Sequence, residues 1–432
     1  VLRPAPPGDA PAALAWGVWA LGALLYLAGF FQRVAPAVMT QELMAEFAIA
    51  AVGLGHLSAA YFYSYVAMQI PTGLMVDRYG ARRVLASGAA VAAAGGLLFA
   101  LAPTVAVANV GRLLVGGAVG VAWVGTLKLA AHWLPPQRFA LATGLALAAG
   151  MAGAVGAGVP LRWAVDAWGW RPVMAGCAVA TGAIAVLIAW LVRDDPAERG
   201  YRSRQAASSE RPVARASIWH GFAEVLRYRN TWLLFFAPQG VTGMILSFAG
   251  LWGVPYLVSV YGFTPQQAAF YCSALLVAWA AGGPLLGALS DRAQQRKPLY
   301  VLGSAAALLL WAIALLAPQP LAPSVLLALL VAAGFSSGCM VIGFAFAKES
   351  VPAHLAGTAS GVVNMGSMAG AMLQQPMIGW ILDLHWTGEL AGGVRLYGPE
   401  AYRAAFLLPL GWLAAGLAVA LATRETQARE RP

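Results

Sequence analysis

Arg33 lies late in a long apolar run, within Phe30-Phe31-Gln32-Arg33-Val34-Ala35-Pro36. Lys128 lies near the end of another. The 17 Asp and Glu avoid the middle of every such run. Asp77, Asp291 and Glu349 fall at one set of run ends, Asp166 and Asp383 at the opposite set, and Glu42 and Glu46 follow the first run. Ionisable residues inside apolar helices are costly and point to function. A fixed cation with no opposing acid is suited to an anion, which brings the missing counter-charge. A carrier of cations would need a buried carboxylate. Two readings of Arg33 and Lys128 stay open: each faces a pore, or each snorkels to an interface.

Helical spacing supplies further lining candidates. Tyr26, Phe30 and Arg33 share one stripe, as do Tyr61, Tyr65 and Gln69 at i, i+4, i+8. Gln239, Asn364, Gln374 and Gln375 place amides inside later apolar runs, where they need partners. Met365, Met368 and Met372, with Cys339 and Met340, could offer soft sulfur to Cu(I). Methionine in an apolar helix is ordinarily packing, so no metal or other cofactor is expected. Cys177, Cys272 and Cys339 form no metal or disulfide pattern. No His-x-x-His, paired acid or nucleotide loop marks an enzyme.

The positioning elements are membrane spans. The chain has 432 residues, 60% hydrophobic and 10% charged, against about 25% charged in soluble domains. Mean hydropathy is +0.71. Twelve runs read as spans, near 14–37, 50–76, 83–104, 106–131, 138–161, 171–192, 230–257, 267–289, 298–317, 323–346, 355–382 and 401–422. The expected fold is all-α and membrane-integral. It has two six-helix bundles, 1–192 and 230–432, joined by a polar linker, 193–229. The first 13 residues are polar and Pro-rich, and no cleavable leader is expected. The Ala, Gly and Arg bias suggests a bacterial source.

The net charge of +10 is topological. Bases crowd the loops after even-numbered spans, including Arg78, Arg82, Arg83, Arg138, the linker arginines, Arg292, Arg296 and Lys297. The positive-inside rule then puts both termini and the linker in the cytoplasm, in a bacterial inner membrane. No basic patch with interleaved aromatics invites nucleic acid.

The halves echo one another. Gly73-Leu74-Met75-Val76-Asp77-Arg78 recurs 214 positions later as Gly287-Ala288-Leu289-Ser290-Asp291-Arg292. Pro135 to Gly144 recurs at offset 217 as Pro352 to Gly361, and Val165-Asp166 as Leu382-Asp383. Two echoes at nearly one offset imply a parallel repeat of six spans each.

Gly73 to Arg83, in the loop after the second span, resembles the signature of the major facilitator superfamily, G-x-L-x-D-r-x-G-r-r/k. The resemblance covers essentially the whole chain. It implies a secondary transporter in which the Gly73-Asp77-Arg78 and Gly287-Asp291-Arg292 loops, with Arg82, act as gates on the cytoplasmic side. Gly73 is expected to let helices pack closely, and Asp77 to meet a helix N-terminus or an arginine. Arg112, with Gly116, Gly117 and Gly120, resembles the family's fourth-span arginine motif and joins the gating set. Arg33 resembles the first-helix arginine of the anion:cation symporter branch, which contacts anionic substrate. The seventh span lacks the second arginine of the phosphate exchangers; Ser247 stands at the position equivalent to Arg33, and Trp279 at that of Tyr65. A small carboxylate-type solute is the expected partner, with a co-transported proton or anion exchange, moved by a monomer in the lipid bilayer. A multidrug, metabolite or siderophore exporter of the same family is the alternative, then a copper carrier. A membrane enzyme or receptor fits least.

Overall fold

The computed structural model describes residues 8–203 and 218–426. Arg204, Arg211 and Arg215 of the linker, and Arg429 and Arg431, lie outside the described residues. Every expected span is helical. The first is α1 (Ala12–Val34), closed by a 3-10 turn, Ala35–Val38, in which Pro36 ends the α-helical ladder. A short α2 (Thr40–Phe47) lies at 110° to α3 (Ala51–Tyr79), the second span. Then come α4 (Ala81–Ala100), α5 (Val105–Val119) with α6 (Ala122–Trp133), α7 (Pro136–Gly156) with α8 (Val159–Trp168), and α9 (Trp170–Leu191). A short α10 (Ile218–Val225) follows the linker and packs beside the second half.

The second half repeats this order. Span seven is α11 (Arg229–Ser247), a π-helical turn over Phe248–Trp252, and α12 (Gly253–Tyr261). It is followed by α13 (Pro265–Ala293), α14 (Lys297–Leu316), α15 (Pro323–Ser337) with α16 (Met340–Glu349), α17 (Ala356–Leu384) and α18 (Pro399–Leu421). A two-residue-strand hairpin, β1 (Leu390–Ala391) and β2 (Val394–Arg395), sits between α17 and α18.

Among the described residues, ten helical stretches are long and apolar enough to cross a membrane, or eleven if α2 and α3 count together. The less apolar α3 and α17 pack along each other between the halves, and each buries much of its length there. Polar side chains there avoid the hydrocarbon cost. Span one loses α-helical form at its end and span seven midway. Gly250 in the π turn lies against Val34, so the two breaks face each other across the halves. Breaks of this kind re-aim side chains and recur at functional sites.

The gates and the linker mark one end of the molecule; the opposite end is called distal here. The hydrogen bonds that join the halves among the described residues run from Gln69–Asn364 toward the distal end. A buried apolar cluster shared by both halves, from Val34 and Val38 to Phe248 and Trp252, fills that end.

Candidate functional site

Arg33 ends α1, where the helix gives way to the 3-10 turn. A cation in the last turn complements the helix's negative end. Its side chain is buried, with the residue 3% exposed, so it does not snorkel. The guanidinium carbon lies 4.2 Å from the Phe30 ring centre, 5.0 Å from Tyr65 and 5.7 Å from Tyr61. These are cation–π distances. No carboxylate pairs with Arg33 among the described residues, and its Nε has no hydrogen-bond partner. Tyr61 donates to the Gly29 carbonyl at 3.0 Å and stacks on Tyr65, which ties α3 to α1.

Arg112 is a second buried cation. Its Nη1 donates to the Gln32 carbonyl at 2.7 Å, and its guanidinium carbon lies 5.2 Å from the Tyr61 ring centre. Snorkelling fails for Arg112 too, at 1% exposure. Its contacts are with the backbone that carries Arg33, far from the linker-end loops. It therefore holds the first span in place beside the site.

Gln69 accepts from Asn364 at 2.8 Å, joining α3 to α17. Gln375 donates to the Leu246 carbonyl at 3.1 Å, and Gln374 to the Gln239 carbonyl at 3.2 Å. Gln239 itself donates to Phe235. These amides knit the eleventh span to the broken seventh. The amide oxygens of Gln374 and Gln375 and the Ser247 hydroxyl are buried without a partner. Trp279 packs with Tyr65, Leu246 and Met368. Met340 accepts from Thr242 and Cys339 lies against Ser304, in clusters separate from Met368.

Lys128 sits elsewhere. It donates to Asp77 at 2.9 Å and to the Val76 carbonyl at 2.8 Å, at the linker end. It belongs to the gate loop and not to the aromatic cluster around Arg33. The reason is reach: a four-carbon stem placed one turn from the end of α6 meets the acid that closes α3. Asp77 meets this lysine and neither a helix N-terminus nor an arginine. Gly73 also departs from expectation, since a Cβ there would touch nothing within 4 Å. At Gly287 a Cβ would make only ordinary contact with Val341. Neither glycine makes a close approach in this structure.

The other gate residues stay within their own halves. Arg82 donates to the Ala189 carbonyl at 3.0 Å, and its backbone N–H to Asp194 at 2.8 Å. Arg78 lies 5.4 Å from the Tyr79 ring, and Arg292 is exposed. Asp291 accepts from Arg296 at 2.6 Å, and Arg296 also holds Glu349 at 2.7 Å. Substituting Lys128 by glutamine is expected to leave substrate affinity within about twofold while lowering the transport rate, because an exposed ion pair contributes about 1 kcal/mol or less to any one state. Binding and uptake measured on the same preparation separate the two.

Two acids that sequence reasoning placed at span ends without a role turn out to bridge the halves. Asp383, at the end of α17, accepts from the backbone N–H of Ala51 at 3.2 Å and of Val52 at 2.8 Å. Helix α3 has no side-chain cap of its own, so the other half supplies one. Tyr397 donates to Asp383 at 2.5 Å and Arg395 at 3.2 Å. Burial, then the bond to Asp383, pushes the Tyr397 phenol up from its ordinary range, which keeps it a donor. Asp166, the repeat partner of Asp383, accepts from Gln266 in the first turn of α13 at 2.5 Å and is held by Arg162. The 217-residue echo was the signal for this pair.

Residues 18–375 match the family described as the Major Facilitator Superfamily. A probable sulfoacetate transporter of Cupriavidus necator is 26% identical over 90% of this chain and 92% of its own length. A probable galactarate/D-glucarate transporter of Bacillus subtilis is 22% identical over 91% and 92%. A gallate transporter of Pseudomonas putida is 25% identical over 85% and 89%. Among solved structures, a bacterial homologue of the human lysosomal transporter Spinster, titled as inward-facing and unoccupied, aligns with TM-score 0.78 at 18% identity, covering 98% of this chain and 99% of that one. The nucleoside transporter NupG aligns with TM-score 0.70 at 15% identity, covering 95% and 98%. The membrane-length helices, the Gly73-to-Arg83 loop and these matches agree: the chain belongs to the Major Facilitator Superfamily.

Proposed function

We propose that this chain is a secondary transporter of a small organic anion, working by alternating access. The observation that carries the proposal is Arg33: a buried guanidinium, near the break that ends span one, with no acid paired to it among the described residues. An anion entering the chamber supplies the charge that the fold omits. The named solutes of the three relatives above are all small organic acids, which supports the same reading. The Lys/Arg bias supports a bacterial inner-membrane protein with the linker end and both termini on the cytoplasmic side. With the contacts between halves gathered distally, the described conformation then corresponds to an inward-facing state. The halves 1–192 and 230–432 rock about the Arg33 chamber as a monomer, with 193–229 as the connecting segment. No acid sits mid-span, so a proton would travel on the substrate's own acid group, or a second anion would be exchanged.

The test is uptake into proteoliposomes from a panel of organic anions and cations, with and without an inward proton gradient. Saturable uptake of at least one carboxylate or sulfonate is expected. Transport confined to cations would sink the proposal.

A further inference from the structure

We propose that the Arg33 chamber is shaped for an aryl carboxylate, a ring bearing an acid group, in preference to an aliphatic or polyhydroxylated acid. This rests on the organic-anion reading above. The carboxylate end is set by Arg33. What remains is the wall beside it, and that wall is aromatic. Tyr26, Phe30 and Arg33 lie on one stripe of α1. The Tyr26 ring is 4.9 Å from Phe30 and 5.1 Å from Trp123 of α6. All three aromatic residues are only partly buried, unlike Arg33 behind them. Trp123 had no role in the sequence reading, because a lone tryptophan in an apolar run gives no spacing signal.

Gly150 of α7 keeps this wall in place. A Cβ at Gly150 would lie 2.7 Å from Tyr26 Cε1 and 3.2 Å from Phe30 Cδ2. The missing side chain lets both rings lie back against α7.

The hydrogen-bonding inventory argues against a polyol acid. A site that selects several hydroxyls keeps polar groups ready for each of them. Here the Tyr61 hydroxyl donates to Gly29, the Ser64 hydroxyl donates to the Tyr61 carbonyl at 3.2 Å, and Gln69 accepts from Asn364. The phenols of Tyr26 and Tyr65 are not engaged by any described residue, enough for one or two ring hydroxyls; the unpartnered Ser247 hydroxyl and the Gln374 and Gln375 amide oxygens belong to wholly buried residues outside this wall. Ring faces at these spacings attract a further arene in edge or offset geometry.

The test is calorimetric titration of the purified full chain with 4-hydroxybenzoate, D-glucarate and sulfoacetate. Hydroxybenzoate is expected to bind about tenfold more tightly than either aliphatic acid, given two favourable ring contacts. Trp123→Leu should cut that ratio about fivefold, whereas Trp123→Phe keeps most of it. Gly150→Ala should also lower the ratio by pushing the Tyr26 ring into the chamber. Equal or tighter binding of the aliphatic acids overturns the inference and leaves the organic-anion reading standing. So does a ratio unmoved by both Trp123→Leu and Gly150→Ala in protein with native melting. Binding of cations and of none of the three acids overturns both readings.

Discussion

Arg33→Ala is expected to abolish anion transport while leaving the empty protein as stable as before, or more so. The two effects have opposite signs for one physical reason. Without substrate the guanidinium is buried against Phe30, Tyr61 and Tyr65 with no acid paired to it among the described residues. Ring faces recover part of the desolvation cost, about 0.5–2 kcal/mol each at best. An unpaired buried ion loses several kcal/mol. Removing it relieves that cost. With substrate bound, the same group makes charge-assisted bonds, and losing one partner of a buried pair costs about 2–5 kcal/mol. At about 1.4 kcal/mol per decade, affinity should fall by about 30-fold or more. Arg33→Lys keeps the charge but loses the planar fork and its ring stacking, so an intermediate loss, about tenfold, is expected. Thermal melting with and without substrate reads both sides. Wild type should gain stability from ligand by mass action, and Arg33→Ala should gain none. If Arg33 were only a packing residue, the alanine variant would melt lower and still bind. Unchanged affinity in a folded Arg33→Ala protein would remove it from the site.

Span positions were legible in the sequence because a hydrocarbon core imposes one length and one composition on every crossing. The repeat was legible because Asp77 and Asp291, and Asp166 and Asp383, hold ends that two related halves must build alike. Arg33 stood out in the sequence by what is absent, an acid in the middle of any span. Partners across helices were not. Lys128 looked like a pore cation by depth, and only the packing of α6 beside α3 shows that Asp77 claims it. Arg112 resembled a gate by motif, but its direction toward the Gln32 carbonyl depends on how α5 meets α1. Gly73 is a conformational matter: a close approach made in one state leaves open space in another, and a sequence does not say which state is described. Asp166 and Asp383 could be aligned with each other from the echo. That each crosses to the other half follows only from the way the halves are docked.

The double substitution Asp166→Ala with Asp383→Ala is expected to shift the conformational equilibrium toward the state open at the distal end. Each acid engages the first turn of a helix in the opposite half, Asp383 at α3 and Asp166 at α13. Those contacts exist only while the distal end is closed. The cap on α3 is the stronger of the two, because two backbone N–H groups, Tyr397 and Arg395 converge on one carboxylate, whereas Asp166 receives a single amide across the halves. Hydrogen bonds to a charged acceptor contribute about 1.5–3 kcal/mol each when the alternative is a poorly solvated donor. Water reaches the distal surface, so a net bias of about 2–3 kcal/mol from both latches is the reasonable scale. That is enough to turn a population near 10:1 into one near 1:5. Asp383→Ala alone should produce most of the shift and Asp166→Ala a smaller part, additive because the sites share no partner. Distances between spin labels on the distal loops of the two halves read the populations directly. A distal distribution that stays short in the double variant would show that the apolar cluster around Val34, Val38, Phe248 and Trp252 holds that end closed without the carboxylates. A broadened distribution with slower uptake would show the two latches setting the balance between the states of the cycle.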